Sequence, residues 1–199
     1  PHRGRRGLLR GSRRAPRAAR AGGLVSRAGR SRPFAADDAH PAGDIVEVVD
    51  RRGAFVAYAF YNPRSHIALR VVSTSNDQPI ERPLLHQRLQ QAIRRRRTIT
   101  GTNAKRLVFS EADGLPGLIV DQYVDYVVVQ FRSAGMNRLR AVILELLEAL
   151  LHPRGILERS DKEFREEEGL PLVNQILAGS VPERILIEDD GLQFLIDPH

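Results

Sequence analysis

Residues 106–123 read RLVFSEADGLPGLIVDQY, and this stretch decides the fold. Lys105–Ser110 is rich in β-formers and reads as one strand, and Leu118–Asp121 reads as a second. Between them lies Glu111-Ala112-Asp113-Gly114-Leu115-Pro116-Gly117, where Asp-Gly and Pro-Gly each signal a turn. Two strands joined through a tight polar link predict the start of a sheet. Downstream, Tyr123–Phe131 contains Val127-Val128-Val129, a continuous apolar run that predicts a strand buried on both faces. Met136, Leu139, Ile143, Leu146 and Leu150 then step by three and four, one amphipathic helix stopped by His152-Pro153 and Gly155. Ile156–Glu158 follows as a strand and 160–169 as a charged segment. Arg184–Glu188 and Leu192–Asp197 flank Asp189-Asp190-Gly191, a hairpin signal.

Upstream of this stretch, the spacing Leu85, Leu89, Ile93 predicts a helix from about Pro83, ending in Arg94-Arg95-Arg96-Arg97. Cations suit the negative end of a helix dipole, so a solvated last turn is the plainer reading of that run, with phosphate contact the alternative. Before a linker at 76–83 come three short alternating segments. They are Asp44–Asp50, then Phe55–Phe60 after the turn Asp50-Arg51-Arg52-Gly53, then Ile67–Ser73 after the break at Asn62-Pro63. Three strands on tight turns predict part of a small β-barrel. The expected class is therefore α+β. A partial barrel at 41–75 precedes a small α/β unit at 83–199, and an Arg-rich tail at 1–40 has too few apolar residues to fold alone.

The net charge of +7 suggests a nucleic-acid partner, but its distribution weakens that inference. Eleven arginines and no acid fall in residues 1–36, and the remaining chain carries 20 basic against 24 acidic side chains, a net of −4. With no cysteine, there are no disulfides, thiolate zinc ligands or sulfur nucleophiles in this sequence. No apolar run approaches the roughly 18 residues of a membrane helix. No P-loop, no G-x-G-x-x-G after a strand and no G-x-S-x-G elbow occur. The six histidines form no pair at metal-ligand spacing, and no metal is expected. Glu111, Asp113 and Asp121 around one turn can in principle do acid–base work, although acids at turns more commonly bond local backbone N–H groups. Tyr58, Phe60 and Tyr61 are candidates for base stacking, with packing of the barrel the plainer role for at least two of them.

Longer motifs carry a resemblance. Gly43–Asp50, Gly53-x-Phe55, Tyr61-Asn62-Pro63-x-Ser65-x-Ile67 and Arg70–Ser73 resemble the PUA-type domain of bacterial large-subunit (23S) rRNA cytosine-5 methyltransferases. Arg106–Tyr123 resembles the middle domain of the same family. So does Glu158-Arg159-Ser160-Asp161 followed by Arg165 and Glu168-Gly169-Leu170, and Glu188–Asp197 is similar to its connecting hairpin. The resemblance implies an RNA-binding PUA barrel, a middle α/β domain and a Rossmann-like catalytic domain that uses S-adenosylmethionine (SAM). In that family a cysteine thiolate is expected to activate the target cytosine.

With neither a cysteine nor a cofactor loop in view, the chain is expected to be an RNA-binding N-terminal part of such an enzyme. On that expectation the Rossmann-like domain is absent, no cofactor binds in this chain, and rRNA is the cytoplasmic partner; homodimerisation is left open. The alternative is a stand-alone PUA-type RNA- or ribosome-binding module. By charge and position, Arg64, Arg70 and Arg94, Arg95, Arg96 and Arg97 are the expected RNA contacts. Two departures from the family stand out. The chain has no tryptophan where the family opens with an Arg/His-Pro-Trp-like element, and Ala59 replaces an expected glycine.

Overall fold

The computed structural model describes residues 18–20, 40–50, 52–160 and 162–199, with the backbone alone at 18–20 and 162–164. Apart from residues 18–20 and His40, the tail expected at 1–40 lies outside the described residues. Ala18–Arg20 forms a short strand, β1, parallel to β2 (Asp44–Val49). Strands β3 (Phe55–Tyr61) and β4 (Leu69–Ser73) complete a sheet of order β1-β2-β3-β4, antiparallel from β2 onward. The turn after β2 closes as its residues predict, with Asp50 Oδ1 accepting from the N–H groups of Arg52 (2.8 Å) and Ala54 (2.9 Å).

Helix α1 (Arg82–Arg96) follows, its buried stripe formed by Leu84, Leu85, Leu89 and Ala92. The second sheet has order β5-β6-β7-β8-β9. Strand β5 is Ala104–Phe109, β6 is Leu118–Tyr123 and β7 is Tyr126–Phe131. The expected single helix after β7 is two, α2 (Ala134–Arg138) and α3 (Arg140–Leu151), with Leu139 leaving helical geometry between them. Strand β8 (Gly155–Ser160) is followed by α4 (Lys162–Glu167), β9 (Val173–Gly179) and the hairpin β10 (Ile185–Asp189) and β11 (Leu192–Ile196). The apolar run of β7 is buried on both faces as its composition predicts. Val127 and Val129 pack toward the helices, while Val128 packs with Leu157, Val181 and Ile185 on the other side.

One expectation is corrected here. β7 and β8 are parallel and joined through α2 and α3, so the sheet is mixed and contains the β-α-β unit from which Rossmann-like sheets are built. A missing glycine-rich motif says nothing about whether two strands run parallel; the length of the helical crossover decides that. The expectation of a partial barrel and a small α/β unit with the Rossmann-like part absent therefore does not describe the chain.

The two sheets share one core. Tyr58, Phe60 and Val72 of the first pack in the same cluster as Leu85 and Leu89 of α1, Val120, Val127 and Val129 of the second sheet, and Ile143 and Leu147 of α3. The tightest junction is at Gly135 in α2, where an added methyl group would run into the Phe60 ring, so only glycine lets the helix sit this close. Tyr58, Phe60 and Tyr61 are accordingly buried, and packing is the role of all three. Ala59 is buried too, against Val46 and Tyr61 in a small second cluster; its methyl fills core and hinders nothing that approaches from outside. No described helix is long and apolar enough to cross a membrane.

Candidate nucleic-acid interface

The turn that joins β5 to β6 organises the most structured polar region of the described chain. Ser110–Asp113 forms one 3-10 turn. Asp113 is buried and accepts from Phe109 N (2.7 Å), from Arg96 through Nη1 (2.6 Å) and Nη2 (2.8 Å), and from Arg95 Nη1 (3.1 Å). Burial pushes its carboxyl pKa up. The Arg96 hydrogen bonds, the Phe109 N–H and the charges of Arg96 and Arg95 outweigh this, and the pKa lies below the usual carboxylate value. Arg88 Nη1 donates to Gly114 O. Gly117 adopts φ 82° and packs directly on Ser133, where any side chain would collide, so the Pro-Gly turn is fixed by contact as well as by conformation.

On the other side of the same turn, Arg70 of β4 reaches Glu111 (3.3 Å) and Glu168 (3.1 Å). Glu168 is the hub between the sheets. One oxygen accepts from Ser65 Oγ (2.7 Å) and Arg70 Nη2, the other from Asn62 Nδ2 (2.8 Å) and Ala134 N (3.0 Å) at the start of α2. Burial pushes its pKa up, but these donors prevail and hold it below the ordinary value. A second buried centre lies behind. Glu158 contacts Arg140 (2.8 Å) and Arg165 (3.4 Å), while Arg165 donates to Pro171 O (2.5 Å) and Phe131 O (2.7 Å). Asp113 and Glu168 are thus each saturated by structural partners, and Asp113 has no accessible lone pair to offer, so the acid–base reading of the turn loses one of its two carboxylates.

The arginines expected to touch RNA fall into two groups, one on each side of this turn. Arg64 is exposed near Gly169, and Arg70 is half-buried in its ion pairs. On the far side, Arg95 and Arg96 are engaged by Asp113, Arg94 contacts Gln90 (3.3 Å), and Arg97 is exposed. Arg96 is therefore chiefly a structural residue, and the open cations are Arg64, Arg94 and Arg97. Between β4 and the β5–β6 edge lies a cleft of about 320 Å³ lined by Ile67, Arg70, Phe109, Ser110, Glu111 and Arg132, among others. Phe109, read from the sequence only as the end of a strand, stands at this cleft 49% exposed, with the Arg106 guanidinium 5.4 Å from its ring centre. Arg106 is itself aimed by a two-bond pair with Asp121 (2.7 and 3.0 Å). Among the described residues no group of three or more His, Asp or Glu could hold a metal ion.

With this geometry in hand, the likeness to known proteins is specific. Residues 31–74 match the PUA-like domain family. The chain is 32% identical over 158 residues to ribosomal RNA large subunit methyltransferase I of Pseudoalteromonas atlantica, covering 78% of this chain and 40% of the relative. It is 34% identical over 161 residues to the protein of that name from Shigella flexneri, covering 79% and 41%. The chain resembles large-subunit rRNA methyltransferases. It spans about two-fifths of the length of these curated relatives. Among solved structures, one assigned as a SAM-dependent methyltransferase from Streptococcus mutans superposes with a TM-score of 0.66 at 18% identity, over 78% of this chain and 40% of that one. Another, SMU.776, assigned as a methyltransferase and complexed with SAH, gives 0.67 at 17% over the same shares. At such identities they show a shared fold.

These likenesses correct two expectations. The expectation of an N-terminal part that only positions RNA and is not itself catalytic does not fit a match in which over three-quarters of the chain is shared with methyltransferases. An account with no place for the cofactor likewise does not fit a fold shared with an SAH complex. The β7–α2 loop, where a β-α-β unit commonly receives a nucleotide, is nonetheless filled by protein: the Ala134 N–H is taken by Glu168 and Gly135 lies against Phe60. The residues at that loop do not fit SAM.

Proposed function

We propose that the chain is a portion of a SAM-dependent methyltransferase of large-subunit rRNA, acting in the cytoplasm, with the arginine-flanked region around the β5–β6 turn as its face toward RNA. The observation that carries this reading is the 34% identity over 161 residues to a methyltransferase of that class, an extent that no single sheet of this chain can account for. The motif resemblance points further, to carbon 5 of a cytosine as the methyl acceptor. The electrostatics agree with a contact that is local. Outside the tail the body is net acidic, so RNA would be met by the exposed Arg64, Arg94 and Arg97 rather than by a uniformly positive surface. The half-buried Arg70 and the exposed Arg95 would be recruited from their ion pairs.

A labelled 23S rRNA fragment titrated with the full chain at two salt concentrations tests this reading. Binding that weakens with salt is expected. The Arg64→Ala/Arg94→Ala/Arg97→Ala variant should bind more weakly with a shallower salt slope, by about one unit for each phosphate that is no longer neutralised. Absent binding, or equal binding at both salts, would refute it.

A further inference from the structure

The geometry points to a subsite for one unpaired nucleotide of the RNA in the cleft between β4 and the β5–β6 edge, its base stacked on Phe109 and its phosphate facing Arg70. The inference rests on the rRNA reading above and adds the place and the chemical form of the contact. Phe109 is apolar, half exposed and at the end of a strand, where an aromatic ring unconnected with any partner would be expected to turn inward. It is held by its backbone instead. Its N–H is bonded to the buried Asp113, and the next residue, Ser110, has φ 47°, so the chain is turned sharply just after the ring. Arg106 stands over the Phe109 ring and is fixed there by Asp121, an arrangement that lends cationic character to a stacking surface.

Across the cleft Arg70 makes one replaceable ion pair, its Nη1 meeting the solvent-exposed Glu111 at 3.3 Å. Among the described residues the Glu111 carboxylate is held only by this contact and by the neighbouring Ser110 hydroxyl, and an exposed carboxylate so placed is readily exchanged at Nη1 for a phosphate oxygen. The buried Glu168 keeps the other edge of the guanidinium in place throughout. Ile67 supplies an apolar wall, and about 320 Å³ lies at the lower end of the roughly 300–1,000 Å³ of small-ligand sites, the scale of a single nucleotide. An aromatic ring flanked by guanidinium groups in a polar cleft suits a base and its phosphate better than an apolar protein face. Duplex RNA keeps its bases stacked inside, so only an unpaired nucleotide can use such a platform.

The test compares the full chain with its Phe109→Ala and Phe109→Tyr variants. Fluorescence anisotropy is read on a single-stranded oligoribonucleotide and on a hairpin duplex of equal length. The Phe109→Ala variant should bind the single strand about 5- to 100-fold more weakly, bind the duplex as the parent does, and melt as the parent does. Tyrosine should restore single-strand binding. Parent-like affinity of Phe109→Ala for both RNAs would overturn the subsite while leaving the rRNA reading intact. So would an equal loss on both, or a loss of self-association with RNA affinity unchanged, which would assign the ring to a protein contact. No RNA binding by the parent chain would overturn the rRNA reading and the subsite with it.

Discussion

Glu168 shows how one side chain can join two sheets. It accepts four hydrogen bonds, from Asn62, Ser65, Arg70 and the Ala134 backbone, and its side chain is 3% exposed. Glu168→Gln would turn an amide N–H₂ toward at least one pair of these donors. It should destabilise the chain by about 2–4 kcal/mol in urea unfolding. The same residue sets an acid limit. Glu168 and Asp113 both titrate below their ordinary values in the fold, so the folded state holds fewer protons than the unfolded chain over that interval. Their contribution is complete above the unfolded pKa and is lost as pH falls through the folded one. Stability should therefore be flat near neutrality and drop below about pH 4. The Glu168→Gln variant should show a shallower drop, and an identical pH profile would contradict the role given to this carboxylate. These partners were only partly legible beforehand. The motif E-x-D-G-L-P-G marks the turn, but nothing in the sequence says that Arg95 and Arg96 would turn back onto Asp113, because a side chain's partner 17 or 18 residues away depends on how helix and sheet pack. Phe109 was hidden for the same reason: alternation along a strand says which side a residue faces, not whether that side is covered.

Among the elements, strength of pattern decided what could be read. The helix α1, the strand β7 and the hairpin β10–β11 all announce themselves through spacing, a run of valines and Asp189-Asp190-Gly191. Strand β9 does not. It is the edge strand of its sheet, mostly exposed, and Val173-Asn174-Gln175-Ile176-Leu177-Ala178-Gly179 carries no clean alternation because little of it is buried. The break at Leu139 was equally silent, since the apolar stripe runs straight through it. The hairpin β10–β11 packs on the second sheet through Ile185, Ile187 and Ile196 and is pinned again at its tip. Asn103 accepts from Glu188 N (2.9 Å) through its side chain and donates its own N–H to Glu188 O (3.1 Å), while Asp190 N donates to Gly101 O (2.8 Å). Leu186 and Leu195 are exposed on one face, Leu192 and Phe194 on the other. An isolated two-stranded ribbon is marginal. Asn103→Ala should raise amide exchange across 185–196 by about tenfold, from the loss of roughly one net hydrogen bond, while leaving β6 and β7 unchanged. Exchange raised evenly over all strands would instead place the hairpin in the main cooperative unit.

Across the whole molecule, the expectation of two successive units meets a main core cluster that draws on both sheets. Strand composition suggests where each sheet begins, and the linker at 76–83 reads as a boundary, yet Tyr58, Phe60 and Val72 pack with Leu85, Val129 and Leu147. Unfolding one sheet alone would expose this shared face, including Phe60 against Gly135, and strand Asn62, Ser65 and Arg70 without their carboxylate. Loss of a buried phenylalanine costs about 3–5 kcal/mol, against a total of about 5–15 kcal/mol for a typical domain. An intermediate with one sheet open should therefore not accumulate. The tyrosines allow a direct test, because Tyr58 and Tyr61 lie in the first sheet, Tyr123 and Tyr126 in the second, and there is no tryptophan. In the Tyr123→Phe/Tyr126→Phe variant, tyrosine fluorescence reports the first sheet while helical circular dichroism reports α1 and α3 against the second. The two signals should trace one urea transition with a common midpoint. Phe60→Ala should move both midpoints down together, since it opens a cavity that belongs to both sheets. A fluorescence midpoint that shifts while the helical signal stays put would mean that the sheets unfold separately, and that the shared cluster is a contact between domains rather than one core.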